Sequence, residues 1–170
     1  MHKISVKTLT GVSLFIALEI VLSRYCSIAT PVVKIGFAFV PLALCATLYG
    51  PVWGAVAGGL SDFLGAILFP IGPYFPGFTL TTALSGLVYG LFFRRRSMGI
   101  AQVCAATAIN NLVFSLCLNT LWISILYGSP FVQLLSTRLF QCALMIPLQI
   151  VVLTLQRQPV TRLAHSRAVS

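Results

Sequence analysis

The chain has 170 residues, of which 58% are hydrophobic and 8% are charged, far below the ~25% charged residues of soluble domains. A soluble domain of this length could not bury so much apolar surface, so the composition excludes a globular protein in water and predicts an integral membrane domain. The formal net charge is +9. Because the basic residues cluster where apolar runs end, we expect them to meet anionic lipid headgroups rather than nucleic acid.

Six apolar segments follow one another along the chain, and each is predicted to be a transmembrane helix. We therefore predict an all-α membrane protein with one domain over residues 1–170. Its membrane core covers about residues 4–155, and a basic cytoplasmic tail covers residues 156–170. The segments are about Ile4–Tyr25, Ile35–Tyr49, Pro51–Phe69, Phe78–Phe93, Met98–Tyr127 and Phe131–Leu155.

The basic residues also predict the orientation of the chain. If the N-terminus faces the cytoplasm and six helices follow, eight of the eleven Lys and Arg residues lie on the cytoplasmic side. The opposite orientation would place the same eight outside. We therefore predict that both termini are cytoplasmic.

Several polar side chains are predicted to lie at one depth in the membrane. An ionisable group there costs about 2.5–3.5 kcal/mol on insertion scales, so its presence indicates a function. At 1.5 Å per residue, Glu19, Asp62 and Arg138 each lie about 10 Å below the outer ends of their helices. This convergence predicts a water-accessible pocket that opens outward and takes an anionic, aromatic ligand. The full set comprises Glu19, Arg24, Lys34, Asp62, Asn119 and Arg138.

The segment between the third and fourth helices is rich in proline, glycine and aromatic residues and is not predicted to be helical. It reads P-I-G-P-Y-F-P-G-F over residues 70–78. Irregular backbone near membrane depth is tolerated where it is buried or lines a cavity, so we expect either a lid or a plain connecting turn. Trp122 and Tyr127 belong either to the ligand site or to the interfacial aromatic belt.

Small residues recur every fourth position and predict close contacts between helices. For the glycines we expect packing within the protein, whereas Ser13 and Ala17 on the first helix could instead face a partner subunit. The glycines are Gly50, Gly54 and Gly58 in one region and Gly86 and Gly90 in another.

Motifs for enzymatic chemistry are missing from the sequence. There is no G-x-x-x-x-G-K-[ST], so the chain cannot bind ATP through a P-loop, and there is no H-E-x-x-H or G-x-S-x-G. The five cysteines form no C-x-x-C and have no neighbouring histidine. We predict no catalytic residue, no metal, no cofactor and no disulfide.

Several short motifs resemble one family of membrane proteins. They are K-I-G-F-A-F-V-P over residues 34–41, Y-G-P-V-W-G-A over 49–55, S-D-F-L-G-A over 61–66 and, most specifically, P-I-G-P-Y-F-P-G-F-T-L over 70–80. N-T-L-W over 119–122 and Arg138 early in the last helix also match. Over about residues 13–153 the chain resembles the folate-type substrate-binding (S) components of energy-coupling factor (ECF) transporters.

The resemblance implies a bundle of six helices in a bacterial cell membrane that binds a folate-class vitamin from outside. It also implies inward release with a transmembrane coupling subunit and two ATPase subunits, which would hydrolyse the ATP. Members of the family dock on the coupling subunit through a small-xxx-small motif of the first helix, here Ser13 and Ala17. Glu19 stands where the family leads us to expect a neutral residue. The sequence assigns no role to Glu19 or to the pair Asn110 and Asn111.

The resemblance and the chemistry of folate together suggest which residues contact the ligand. Basic side chains would bind its carboxylates or its ring, since Arg clasps carboxylates through its planar fork. Aromatic side chains would stack on the pterin. Asp62 either accepts hydrogen bonds from pterin N–H groups or forms a structural ion pair with Arg138 or Arg24. The candidate substrate-binding residues are Arg24, Lys34, Phe37, Asp62, Tyr74, Phe75, Trp122 and Arg138.

Two other functions remain open. The first is an S component for another water-soluble vitamin or precursor. The second is a stand-alone secondary carrier driven by an ion gradient. Proton-coupled carriers usually pass protons along several acidic residues in the membrane, and this chain has two acids.

Overall fold

The computed structural model describes residues 5–29, 34–70, 72–93, 99–128 and 131–168, in which six helices form a bundle. A short antiparallel hairpin of β1 (Ser27–Ala29) and β2 (Lys34–Gly36) connects the first two helices. The helices are α1 (Val6–Arg24), α2 (Phe39–Tyr49), α3 (Pro51–Leu68), α4 (Pro76–Phe93), α5 (Ile100–Tyr127) and α6 (Phe131–Ala168).

Five of these helices are long and apolar enough to cross a membrane, and α2 is a shorter apolar helix. Their outward faces carry large apolar side chains that are exposed in the described part of the chain, with Phe140 on α6 being 74% exposed. Apolar surfaces of this extent are typical of helices that contact lipid tails. The prediction of a multi-pass integral membrane protein with six helices is therefore confirmed.

Several helices begin or end at residues other than those predicted. Residues 34–36 pair with residues 27–29 in the hairpin, so α2 begins at Phe39 and not at Ile35. The fourth helix begins at Pro76, two residues before the predicted start, because proline has no N–H and is well suited to a first helical turn. The last helix continues past Leu155 to Ala168.

Helices α3 and α4 approach each other more closely than ordinary side chains would allow. A Cβ added to Gly58 would lie 2.5 Å from the Thr82 carbonyl oxygen, and one added to Gly54 would lie 2.6 Å from the Gly86 carbonyl oxygen. A Cβ on Gly86 would in turn overlap the Gly54 carbonyl. The small-xxx-small spacing therefore serves packing within the protein, as the sequence predicted.

Helix α5 contains a π-helical segment over Ile109–Leu118, flanked by α-helix over Ile100–Ala108 and Asn119–Tyr127. In π-helix each N–H bonds to the carbonyl five residues back, which widens the helix and rotates the residues that follow. Helix α6 runs without interruption through Pro147, whose nitrogen cannot donate to the carbonyl of Ala143.

The apolar core lies among α2, α4, α5 and α6. Tyr89 and Phe93 stack with ring centroids 5.5 Å apart. They pack with Phe39 of α2 and Leu153 of α6 in one buried cluster. This core borders a cavity between the helices, because Phe39 and Tyr89 belong to the core and also line that cavity.

Candidate ligand-binding cavity

A cavity of about 220 Å³ lies between the helices of the bundle. Its walls come from the end of the hairpin at Gly36 and from α1, α2, α4, α5 and α6. The walls contributed by α2 are apolar, whereas those of α4, α5 and α6 carry hydroxyl, amide and guanidinium groups. A cavity of this composition suits a ligand with an apolar body and several polar atoms.

The π-helical segment of α5 supplies one polar wall. Asn110 and Asn111 are buried neighbours, and both line the cavity together with Ser115 one turn later. Two adjacent residues of an ordinary α-helix point about 100° apart. The wider π turn therefore lets α5 present consecutive polar side chains to one space, which is a common use of π-helix at functional sites.

Helix α6 supplies the facing wall through a stripe of four residues at helical spacing, Arg138, Gln141, Met145 and Gln149. Arg138 is only 6% exposed. Its Nη1 donates to the Ser115 carbonyl oxygen at 3.1 Å. This bond holds the guanidinium against α5, so that Arg138 presents a fixed positive charge to the cavity.

A second polar link joins the same two helices deeper along α6. The Asn111 Nδ2 donates to Gln149 Oε1 at 2.7 Å and to the Thr107 carbonyl oxygen at 2.9 Å. The Cys142 thiol donates to the Asn111 carbonyl oxygen at 3.4 Å. Side chains of α6 thus bind α5 at several levels and fix the width of the cavity.

Three cavity-lining residues carry buried polar atoms that have no hydrogen-bond partner among the described residues. They are Asn119 Oδ1, Arg138 Nε and both polar atoms of the Asn110 amide, which lies beside the Tyr89 hydroxyl without reaching hydrogen-bond geometry. An unsatisfied buried polar group costs roughly 1–3 kcal/mol. Such a cost is expected where a ligand completes the hydrogen bonds.

One carboxylic acid, Glu19, and one basic side chain, Arg138, line the cavity within the described part of the chain. Glu19 is 4% exposed and belongs to α1, which packs on α2 and α3. Arg138 belongs to α6, which packs on α5. The cavity therefore has an acidic group on one wall and a basic group on another.

Three of the predicted site residues form a separate polar network among α1, α3 and the start of α4. Asp62 accepts a hydrogen bond from Thr79 Oγ1 at 2.8 Å, and Thr79 Oγ1 lies 3.2 Å from the Tyr74 hydroxyl. Arg24 interacts electrostatically with Asp62, and its guanidinium lies over Gly65. Arg24, Asp62 and Tyr74 are not among the residues that line the cavity.

The predicted aromatic residues do not line the cavity, but Phe37 and Trp122 contact residues that do. Phe75 and Trp122 pack with centroids 5.4 Å apart. Trp122 Nε1 donates to Thr81 Oγ1 at 3.1 Å, and Thr81 does line the cavity. Phe37 similarly packs against the lining residue Phe39, with centroids 6.3 Å apart.

Of the predicted substrate-binding residues, Arg138 alone lines the cavity directly within the described chain. The side chain of Lys34 lies outside the described part, although its backbone belongs to β2. Ser13 and Ala17 are exposed on α1, where another protein could reach them. Polar residues that the sequence analysis left without a role also line the cavity, namely Glu19, Asn110, Asn111, Gln141 and Gln149. These residues could have been identified from the sequence, because polar side chains within a predicted membrane span usually have a function.

The fold and the cavity define a small polytopic membrane protein that encloses a polar ligand site. The sequence profile of the family described as "ECF transporter, substrate-specific component" matches residues 7–155, and the chain belongs to this family. It is a component of transport and not an enzyme.

Individual relatives agree with this family. The folate transporter FolT of Clostridium novyi is 38% identical over 148 residues, which cover 87% of this chain and 86% of that protein. FolT of Leuconostoc mesenteroides is 29% identical over 154 residues, covering 87% of this chain and 83% of the relative. A crystal structure of FolT bound with folic acid superimposes with a TM-score of 0.87 at 30% identity, covering 91% of this chain and 95% of that one.

Proposed function

We propose that this chain binds a folate-class vitamin in the cavity and delivers it to an ATP-driven importer. The observation that carries the proposal is the cavity with unsatisfied polar atoms, in a bundle that superimposes on a folic acid-bound relative over nearly its whole length. Folate combines a flat ring rich in donors and acceptors with an anionic glutamate tail. The cavity offers amide groups for the former and Arg138 for the latter.

Arg138 is the proposed partner of a ligand carboxylate. Its buried guanidinium donates to the Ser115 carbonyl oxygen, and its Nε has no hydrogen-bond partner among the described residues. A charge-assisted hydrogen bond to a carboxylate is roughly twice as strong as a neutral one. Ligand binding would therefore offset part of the cost of burying this cation.

The other predicted contacts remain proposals with different degrees of structural support. Phe75 packs against Trp122, and Trp122 donates a hydrogen bond to the lining residue Thr81. Both aromatic rings are therefore close enough to the cavity to contact the ring of a bound ligand. The interactions of Asp62 with Thr79 and Arg24 support a structural ion pair with Arg24 rather than direct contact of Asp62 with the ligand. The remaining proposed contacts are Arg24, Lys34, Phe37 and Tyr74.

Coupling to partner subunits is proposed from the family and from α1. We propose that a transmembrane coupling subunit docks on the exposed Ser13 and Ala17, and that two ATPase subunits supply the energy. We also propose that both termini are cytoplasmic and that residues 1–170 form one domain, with a core over residues 4–155.

A titration of the purified chain in detergent tests the ligand. Folic acid should bind tightly, whereas riboflavin, biotin and thiamine should produce no response. Binding of one of those three instead of folic acid would assign the chain to another vitamin.

A second experiment tests the partners. The tagged chain should co-purify with a coupling subunit and an ATPase pair, and folate uptake into cells should require ATP. Uptake by proteoliposomes that contain only this chain and carry an ion gradient would instead identify a stand-alone carrier.

A further inference from the structure

Glu19 is a buried acid that the family resemblance does not explain. It is 4% exposed, lines the cavity, and lies on α1, the helix whose outward face carries Ser13 and Ala17. A carboxylate in a membrane is costly, and this one faces a polar cavity rather than lipid. Its position indicates a role in recognising what enters the cavity.

The hydrogen-bonding capacity of the cavity wall narrows that role. An ionised carboxylate only accepts hydrogen bonds, and its two oxygens can accept two parallel donors at once. The pyrimidine edge of a pterin presents two such donors, the ring N–H and the adjacent 2-amino group. Amide side chains such as those of Asn110 and Gln149 can accept with only one atom each.

The other acid of the chain is placed differently. Asp62 lies outside the cavity lining and accepts a hydrogen bond from Thr79. The sequence suggested that Asp62 accepts hydrogen bonds from pterin N–H groups. Glu19 is better placed for this role, because it lines the cavity. Glu19 and Arg138 also come from two different helices that line the cavity, so that one helix supplies the acid and another the base.

We infer that Glu19 determines ligand specificity by accepting hydrogen bonds from the ring N–H and 2-amino group of the bound pterin. This inference rests on the proposed function. Glu19 selects for 2-aminopterins, while Arg138 at the other wall binds the carboxylate tail. Pterins with or without ring reduction keep this edge, so Glu19 does not distinguish among them.

The test compares two ligands and two proteins in detergent. The ligands are folic acid and its analogue in which a methyl group replaces the 2-amino group. Wild type should bind the analogue about 10–100-fold more weakly, because a hydrogen bond to a charged group is lost. Glu19→Gln should bind folic acid about 10–100-fold more weakly and should discriminate between the two ligands less than about threefold.

Asp62→Asn is the matched control, since it removes the only other acid of the chain. It should keep the full discrimination between the two ligands, whatever its effect on affinity. Loss of discrimination in Asp62→Asn with retention in Glu19→Gln would overturn the inference. So would an equal loss of affinity for both ligands in Glu19→Gln, which indicates a structural role.

A wild-type measurement covers the case in which Glu19→Gln does not fold. A 2,4-diaminopterin such as methotrexate has a basic ring nitrogen, and an adjacent carboxylate would stabilise the form of this nitrogen that has taken up a proton from solvent. Calorimetry in buffers of different ionisation enthalpy should show uptake of about one proton with this ligand and none with folic acid. Absence of proton uptake would contradict the inference, whereas failure of wild type to bind any pterin would remove the proposed function as well.

Discussion

Helices α3 and α4 meet in a different way from α5 and α6, although both pairs are neighbours in one bundle. The first pair touches backbone to backbone through glycines, with no room for another methyl group. The second pair is joined through polar side chains, by one bond between Asn111 and Gln149 and by bonds from Arg138 and Cys142 to backbone carbonyls of α5. Close packing gives α3 and α4 one arrangement, whereas the polar contacts leave α5 and α6 a space that a ligand can enter.

The largest expected effect is a loss of stability when the close contact between α3 and α4 is disturbed. Gly86→Ala places a methyl group on the Gly54 carbonyl, and backbone cannot move aside cheaply. We expect a loss of about 3 kcal/mol or failure to fold, measured as the thermal midpoint in detergent. Gly59→Ala is the control, because its new Cβ would lie at an ordinary 3.5 Å from the Ala83 Cβ. Equal stability of the two variants would contradict the close approach.

The next largest effect is expected on the affinity for folic acid when Arg138 in the cavity wall is replaced. Arg138→Ala should weaken folic acid binding about 100-fold, since it removes a buried charge-assisted contact. Arg24→Ala should change affinity less, because Arg24 lies with Asp62 outside the cavity lining. Unchanged affinity in both variants would show that neither arginine binds the ligand.

The link between α5 and α6 predicts a smaller change. Asn111→Ala should lower stability by about 1–2 kcal/mol, because it leaves Gln149 Oε1 without its partner. A double-mutant cycle with Gln149→Ala should give a coupling of about 1 kcal/mol, read from thermal unfolding in detergent. Leu112→Ala is the control, since Leu112 lies in the same π-helical segment but is exposed on its outer face. Additive effects at Asn111 and Gln149 would show that the pair does not join the helices.

The smallest expected effect is in the network outside the cavity. Thr79→Val removes the donor to Asp62 but keeps the shape of the side chain, so stability should fall by about 1 kcal/mol and folate affinity should hardly change. Thr10→Val, which removes only a bond within α1, should alter neither. A large loss of affinity in Thr79→Val would place Asp62 at the ligand.

The sequence predicts the depth of a residue in the membrane better than the direction it faces. Glu19 and Asp62 have similar predicted depths because helical rise is constant, yet Glu19 lines the cavity and Asp62 bonds to Thr79. Direction depends on how a helix is rotated against its neighbours, which apolar periodicity fixes poorly when lipid and core are equally apolar. This explains why the sequence predicted the six helices and placed Glu19, Asn119 and Arg138 near a pocket, but also placed there Arg24 and Asp62, which do not line the cavity.

Two local features lay beyond the sequence signals. The hairpin residues Lys34–Gly36 continue into an apolar run that also suits helix, so their pairing with Ser27–Ala29 was not predicted. The π-helical segment has no distinctive composition, and its added residue per turn changes which side chains face the cavity. The only hint of this segment in the sequence was the pair of adjacent polar residues Asn110 and Asn111, which both line the cavity.

Pro147 gives the cavity wall on α6 a point of weakness. With no N–H at this residue, the Ala143 carbonyl loses its usual partner between Gln141 and Gln149. Proline is where long helices most readily bend, so the halves of the wall that carry Arg138 and Gln149 can change their angle without unwinding either half. An isotope-edited infrared band from a labelled Ala143 carbonyl should appear at the frequency of a weakly bonded amide and would report that bending directly.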